Sequence, residues 1–274
     1  MNGSMAMSID EWHARLVAHA DGNIDPAMPR LPVRAIQEQF VGSALRPAFE
    51  EAYIFYTTFM NYAAALAMPF DSSDARFLDF GCGWGRFLRY AMNQFPRDRL
   101  FATDIDAGIV ASCIETGIPA QYSVIDPLGK LPFADNFFSH AMAYSVFTHL
   151  PENVHLNWSA EIIRVLKPGG VFCGTIETRK FLEFIQNMPQ AEHCTNDWER
   201  SLASYKPQVE QLMAAYDRGN FVYLPTGGGG VRTSDVYGEA VIAPNYIEAH
   251  WQGATLRAVL DESFWQTVII VQKH

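Results

Sequence analysis

The 274-residue chain is 49% hydrophobic, enough to bury a substantial core as one large domain or two small ones, and too apolar for a disordered segment. Its formal net charge is −10 and no run of Lys or Arg exceeds two residues, so nucleic acid and anionic membrane surfaces are excluded as expected partners. The four cysteines, Cys82, Cys113, Cys173 and Cys194, form no C-x-x-C pair and no His-bearing zinc spacing, which points to free thiols, no bound metal and a reducing, cytoplasmic location. A basic segment followed by a long apolar one is missing from the N-terminus, and nowhere do 18 apolar residues run together.

In chain order, Ser8 with Glu11 three residues later is a capping box, and Trp12, Leu16 and Val17 share a helical face, so a first helix is expected over 9–20. The following D-G-N-I-D-P-A-M-P-R-L-P carries three prolines and a glycine and reads as a surface loop. A short helix over 33–40 and a longer one over 46–68 follow. The second holds Phe49, Tyr53, Phe55, Tyr56, Phe59 and Tyr62, which either pack on the core or wall a ligand pocket. Residues 1–75 thus read as an N-terminal helical cap.

The stretch F-L-D-F-G-C-G-W-G-R-F-L-R-Y over 77–90 then joins a short buried strand to three glycines at alternate positions, Gly81, Gly83 and Gly85. Glycines there allow a tight turn and close approach of a ligand to the main chain, and an amphipathic helix over 86–95 would face that ligand with its N-terminus. A dinucleotide fingerprint would need its third glycine at the position of Arg86, so the spacing is D-x-G-x-G-x-G instead. A second strand over 100–103 ends at Asp104, 19 positions beyond Gly85, where a carboxylate can accept hydrogen bonds from ribose hydroxyls. A helix over 107–117 with Gly117 as its cap leads to a third strand over 121–125. It ends at Asp126, placed to accept from an adenine amino group. A fourth strand over 139–144, a helix over 152–166, a K-P-G-G turn and a fifth strand over 171–178 complete an alternating pattern. That pattern means an α/β, doubly wound, mostly parallel sheet.

The series L-D-F-G-C-G-W-G-R, A-T-D-I-D, L-P-F-A-D-N-F-F, Y-S-V-F-T-H-L and R-V-L-K-P-G-G-V resembles the class I, Rossmann-like S-adenosylmethionine-dependent methyltransferases of the small-molecule type, the methyltransferase domain 11/12 group. The resemblance covers residues 76–178. It implies a seven-stranded sheet of order 3-2-1-4-5-7-6 with the last strand antiparallel, and S-adenosylmethionine as cofactor. By that likeness Asp79 and the main chain of Gly81, Cys82 and Gly83 meet the methionine part, Asp104 and Ile105 the ribose and adenine face, and Asp126 the adenine edge. Tyr144 would lie near the methyl group. One departure is visible, Phe138-Ser139 where the family usually has Phe-Asp.

Residues 179–239 fit no repeat of the core and are expected to form a lid over the active site, with helical stretches over 181–187 and 208–216 and a hinge at the glycine run 227–230. The run lacks the Lys-Ser or Lys-Thr of a phosphate loop. A helix over 245–251, a sixth strand over 254–260, a D-E-S-F turn and a seventh strand over 265–272 return the chain to the core as an antiparallel hairpin.

The reading is therefore a methyltransferase acting on a small-molecule acceptor, a hydroxyl of a sugar or secondary metabolite. An NAD(P)-dependent reductase and a catalytically silent binding protein of the same fold are the alternatives. A hydroxyl acceptor calls for a general base. His149, five residues after Tyr144 and able to titrate near neutral pH, is the first candidate, and Tyr144 and Glu177 are the others. The competing role for His149 is to pack under Leu150-Pro151 and bond the backbone.

Overall fold

The computed structural model describes residues 7–261 and 265–274. They divide into two compact units, the first made of 7–126, 131–142 and 165–171, the second of 127–130, 143–164, 172–261 and 265–274.

In the first unit, α1 (Ile9–Ala20) starts where expected: the Ser8 side chain accepts from Glu11 N–H while Glu11 reaches back to Ser8. α2 (Arg34–Val41) stops at Gly42, which adopts the left-handed conformation. In α3 (Arg46–Ala65), Phe49, Phe55, Tyr56 and Phe59 are fully buried. Rings of Phe59, Phe70, Phe77 and Phe95 follow one another at 5.0, 5.7 and 5.2 Å between centroids, so the buried α3 aromatics serve the core of this unit. Tyr53 and Tyr62 are half-buried.

Strand β1 (Phe77–Phe80) is buried along its whole length and pairs in parallel with β2 (Leu100–Asp104), Phe77 opposite Leu100. Helix α5 (Ala107–Thr116) begins with the Asp106 carboxylate accepting from Gly108 and Ile109 N–H and ends at Gly117 with φ 90°. It leads to β3 (Gln121–Val124), parallel to β2. β4 (Phe138–Ala143) lies on the other side of β1. Ser139 replaces the expected aspartate without loss of pairing, since its hydroxyl accepts from Arg76 N–H at 2.9 Å and donates to Arg76 O at 3.0 Å.

Two expectations here are corrected. The helix after the glycine loop is not an amphipathic ten-residue element: α4 (Leu88–Ala91) is a single turn with all four residues buried, flanked by turns. Arg86 and Arg89 point inward, giving N–H groups to the carbonyls of Ala48, Pro29 and Arg30, and no solvent face remains. The K-P-G-G segment is no separate turn either. Strand β5 (Leu166–Ile176) already begins at Leu166 and bends through Gly169, φ 76°.

The second unit holds α6 (Glu152–Val165, whose last residue falls in the first), α7 (Arg179–Asn187), α8 (Asp197–Ala203), α9 (Val209–Asp217), β6 (Val222–Leu224), β7 (Glu239–Val241) and α10 (Pro244–His250). Within 179–239 the sequence reading found α7 and α9 but not α8, nor the antiparallel β6–β7 pair. That insertion has a core of its own, including Phe181, Leu182, Ile185, Leu202, Met213, Val222 and Leu224. Its glycine run folds into a hydrogen-bonded turn, Gly228 N–H to Arg232 O at 2.8 Å and Arg232 N–H to Gly229 O at 3.0 Å. β8 (Ala254–Leu260) and β9 (Thr267–Lys273) are antiparallel, as expected; most of the D-E-S-F turn between them, residues 262–264, lies outside the described residues. The sheet order is β3-β2-β1-β4-β5-β9-β8, which is 3-2-1-4-5-7-6 once the small β6–β7 pair is set aside.

Candidate functional site

Within the first unit, the glycine loop folds back on the end of β2. Gly81, Gly83 and Gly85 have φ of 77°, 51° and 78°, a region closed to most side chains, and Gly81 and Cys82 donate to Thr103 O at 2.8 and 3.0 Å. A Cβ on Gly85 would stand 2.5 Å from Ile118 Cδ1, so packing as well as backbone requires glycine there. Gly83 N–H donates to Asp104 Oδ2 and Asp106 N–H to Asp104 Oδ1, both at 3.0 Å, which aims the Asp104 carboxylate from two sides. The Cys113 thiol donates to Gly83 O at 3.1 Å. Its contact with Cys82, together with burial, pushes the Cys82 thiol well up, so the loop cysteine is a neutral packing group.

Asp79 is the chemically unusual member. It is 1% exposed, and its Oδ2 has no hydrogen-bond partner among the described residues. Burial, then the charge of Asp104, raise its pKa to about 8 against the pull of Arg86. An orphaned, buried carboxyl oxygen beside a positive-φ glycine loop fits a ligand that brings its own cation, as the ammonium of a methionine moiety would. Ile105 is half-buried and Asp126 exposed; Ile125 N–H donates to Asp104 O at 3.0 Å, so β3 ends alongside β2 as the spacing required.

The second unit gathers a polar cluster around His149. Nδ1 lies 2.8 Å from Gly238 O and 3.3 Å from Glu239 Oε2, while Nε2 lies 3.3 Å from Ser145 Oγ. A carbonyl only accepts, so neutral His149 carries its hydrogen on Nδ1 and leaves a lone pair on Nε2. The backbone bond anticipated as its alternative role is therefore the contact that fixes a base-competent tautomer. The Tyr237 ring stacks on the imidazole at 4.4 Å. Ser145, next to half-buried Tyr144, has φ 55°, its N–H donating to Thr175 Oγ1 at 2.7 Å and its hydroxyl accepting from Gln266 Nε2 at 2.9 Å. A strained non-glycine residue at a strand end is a common mark of a functional position.

Glu177 is 3% exposed, and burial followed by the nearby Glu239 carboxylate raises its pKa to about 8, while Lys180 and Gln266 oppose the shift. At pH 7 it is an uncharged carboxylic acid, suited to donate a hydrogen bond rather than to accept a proton. Sequence reasoning missed Glu239, Ser145 and Gln266. Glu239 reaches His149 because Gly238 N–H donates to His149 O at 2.8 Å and Ala240 N–H to Thr148 O at 2.7 Å, a pairing of segments 90 residues apart that no local pattern announces.

A mostly parallel sheet of this order, with a glycine loop after β1 and an aimed acid after β2, is the Rossmann-like methyltransferase fold. Residues 77–170, about a third of the chain, match the model of a methyltransferase domain family. The malonyl-[acyl-carrier protein] O-methyltransferase of Hahella chejuensis is 30% identical over 112 residues, which are 40% of this chain and 39% of that protein. The chain thus matches well under half the length of that relative. Among solved structures, an S-adenosylmethionine-dependent methyltransferase from Clostridium acetobutylicum is similar with a TM-score of 0.54 at 12% identity, covering 80% of this chain and 90% of the other. One from Mesorhizobium loti gives 0.51 at 14%, covering 78% and 96%. Likenesses at these identities carry the fold. Among the described residues no helix is long and apolar enough to cross a membrane, and no cluster of His, Cys, Asp or Glu is placed to hold a metal ion.

Proposed function

We propose that the protein moves the methyl group of S-adenosylmethionine to a hydroxyl of a small acceptor, a sugar or secondary metabolite. The observation that carries this reading is the orphaned Asp79 oxygen beside the three positive-φ glycines, with Asp104 aimed by two backbone N–H groups. The bound sulfonium supplies an electrophilic methyl, and the protein's task is to hold the acceptor in line with it and exclude water. Such positioning is worth about 7–11 kcal/mol. Asp79 would take the ligand's ammonium, the Gly81, Cys82 and Gly83 main chain its methionine part, Asp104 and Ile105 the ribose and adenine face, and Asp126 the adenine edge. Tyr144 is assigned to the methyl, and His149 Nε2 to the acceptor proton. Glu177, uncharged at neutral pH, serves the acceptor as a donor.

Residues 179–239 are the lid in this reading. Trp198 and Trp265 are 44% and 62% exposed, and Phe184 lies against both at 6.3 and 5.4 Å, an aromatic shelf that suits the apolar face of a ring. The test is calorimetric titration with S-adenosylhomocysteine, then methyl transfer from labelled S-adenosylmethionine to methyl glucoside, a phenol and a primary alcohol. His149→Ala should lower turnover at least about 100-fold with S-adenosylhomocysteine affinity intact. Absence of S-adenosylhomocysteine binding by the folded protein would refute the proposal, and turnover preserved within a few-fold in His149→Ala would remove the base.

A further inference from the structure

Glu239 opens β7 at 3% exposure, and both its oxygens have work. Oε1 accepts the indole N–H of Trp198 at 2.7 Å, and Oε2 stands 3.3 Å behind His149 Nδ1. A carboxylate in that place adds little to a neutral imidazole, whose hydrogen already goes to Gly238 O at 2.8 Å. It matters once Nε2 has taken a proton, because the imidazolium then carries a full positive charge at a half-buried position where water screens it only in part. We propose that Glu239 is a positioning residue that stabilises protonated His149 during methyl transfer, with Trp198 of α8 holding the carboxylate in place.

The inference rests on His149 acting as the base. The step balances in atoms and charge. The acceptor O–H bond breaks and its proton goes to Nε2; the new O–CH₃ bond forms as the C–S bond breaks, and that electron pair stays on sulfur. One positive charge leaves the sulfonium and one appears on His149, beside a carboxylate already in position. The groups that bear on the imidazole are Glu239 and Gly238 O at Nδ1, Ser145 at Nε2 and the Tyr237 ring on its face, with Glu177 acting on Glu239. Burial and the neighbouring Glu239 raise the Glu177 pKa to about 8, so Glu177 adds little negative charge beside the imidazole at pH 7. Trp198 belongs to the insertion, so the indole bond makes the strength of the base depend on α8 being seated.

The experiment is a pH titration of the histidine ring resonances of ¹⁵N-labelled full-length protein, His149 assigned by its loss in His149→Ala. It needs no acceptor. In Glu239→Gln the midpoint of His149 should fall by one unit or more, a tenfold or greater loss of proton affinity, since an opposite charge within about 4–6 Å is removed. Glu239→Asp keeps the charge but withdraws it by one methylene, so an intermediate fall is expected, and it replaces the glutamine variant if that does not fold. In the activity arm, Glu239→Gln should slow turnover of whichever hydroxyl probe reacts and have no further effect in a His149→Ala background. An unchanged midpoint in a folded Glu239 variant overturns the proposal, because a purely structural role would lower stability without moving the titration. A shifted midpoint together with full turnover in His149→Ala would instead overturn the base assignment and leave the electrostatic pairing standing.

Discussion

Asp79→Asn keeps the side chain's shape and removes its charge, so it isolates what the carboxylate does for the cofactor. With a pKa of about 8, Asp79 is about nine-tenths protonated at pH 7, and ionising it to meet an ammonium costs about 1.4 kcal/mol there. The charge-assisted bond so formed is worth about 1.5–3 kcal/mol. The net advantage of aspartate over asparagine is then at most about 1.6 kcal/mol at pH 7, a factor of roughly 15 or less in affinity. At pH 8.5 the cost nearly vanishes, and the same substitution should weaken S-adenosylhomocysteine binding about 10- to 150-fold. Wild-type binding at pH 7 should also release close to one proton, and the mutant none. Calorimetry in phosphate and in Tris reads this directly, because the two buffers differ in ionisation enthalpy. An equal loss of affinity at both pH values, with no proton released by the wild type, would show that Asp79 does not meet a cation.

Asp104→Ala should weaken S-adenosylhomocysteine about 10- to 150-fold by titration calorimetry, and it leaves the Gly83 and Asp106 N–H groups without their acceptor. Gly85→Ala forces a β-carbon to 2.5 Å from Ile118 Cδ1 at φ 78°, so the melting temperature should fall by roughly 4 °C or more. Glu177 holds its proton in the folded state up to about pH 8 but loses it near 4.5 when unfolded, so it makes stability fall as pH rises between those values. Glu177→Gln should flatten that slope in melting curves taken from pH 4.5 to 8.

Whereas the order of the sheet followed from the family resemblance, the first three strands were legible because a glycine or aspartate closes each run, at Gly81, Asp104 and Asp126. The capping box at Ser8 and Glu11 fixed α1 to the residue for the same reason, since both partners lie within one turn. Shortening of α4 was not legible. It follows from Arg89 reaching Pro29 and Arg30, about 60 positions away, and a periodicity window cannot see that pairing. β6 and β7 are three residues each, below the length at which alternation can be read. The state of the candidate acids was hidden likewise: Asp79 and Glu177 look like ordinary carboxylates in sequence, and only their burial beside a second acid makes them neutral at pH 7.

The division of the chain into interleaved units bears on its synthesis. The first unit takes residues up to 126 but also 131–142 and 165–171, so it cannot close until Val171 has been made. Translation at about 5–20 residues per second separates Gly85 from Val171, 86 residues later (171 − 85), by roughly 4–17 s. Through the first part of that interval, until residues 138–143 are made, the nascent chain carries Phe77 and Leu78 without the strand that becomes their neighbour, β4. Truncation after 126 should thus yield an aggregating fragment rather than a small cofactor-binding domain.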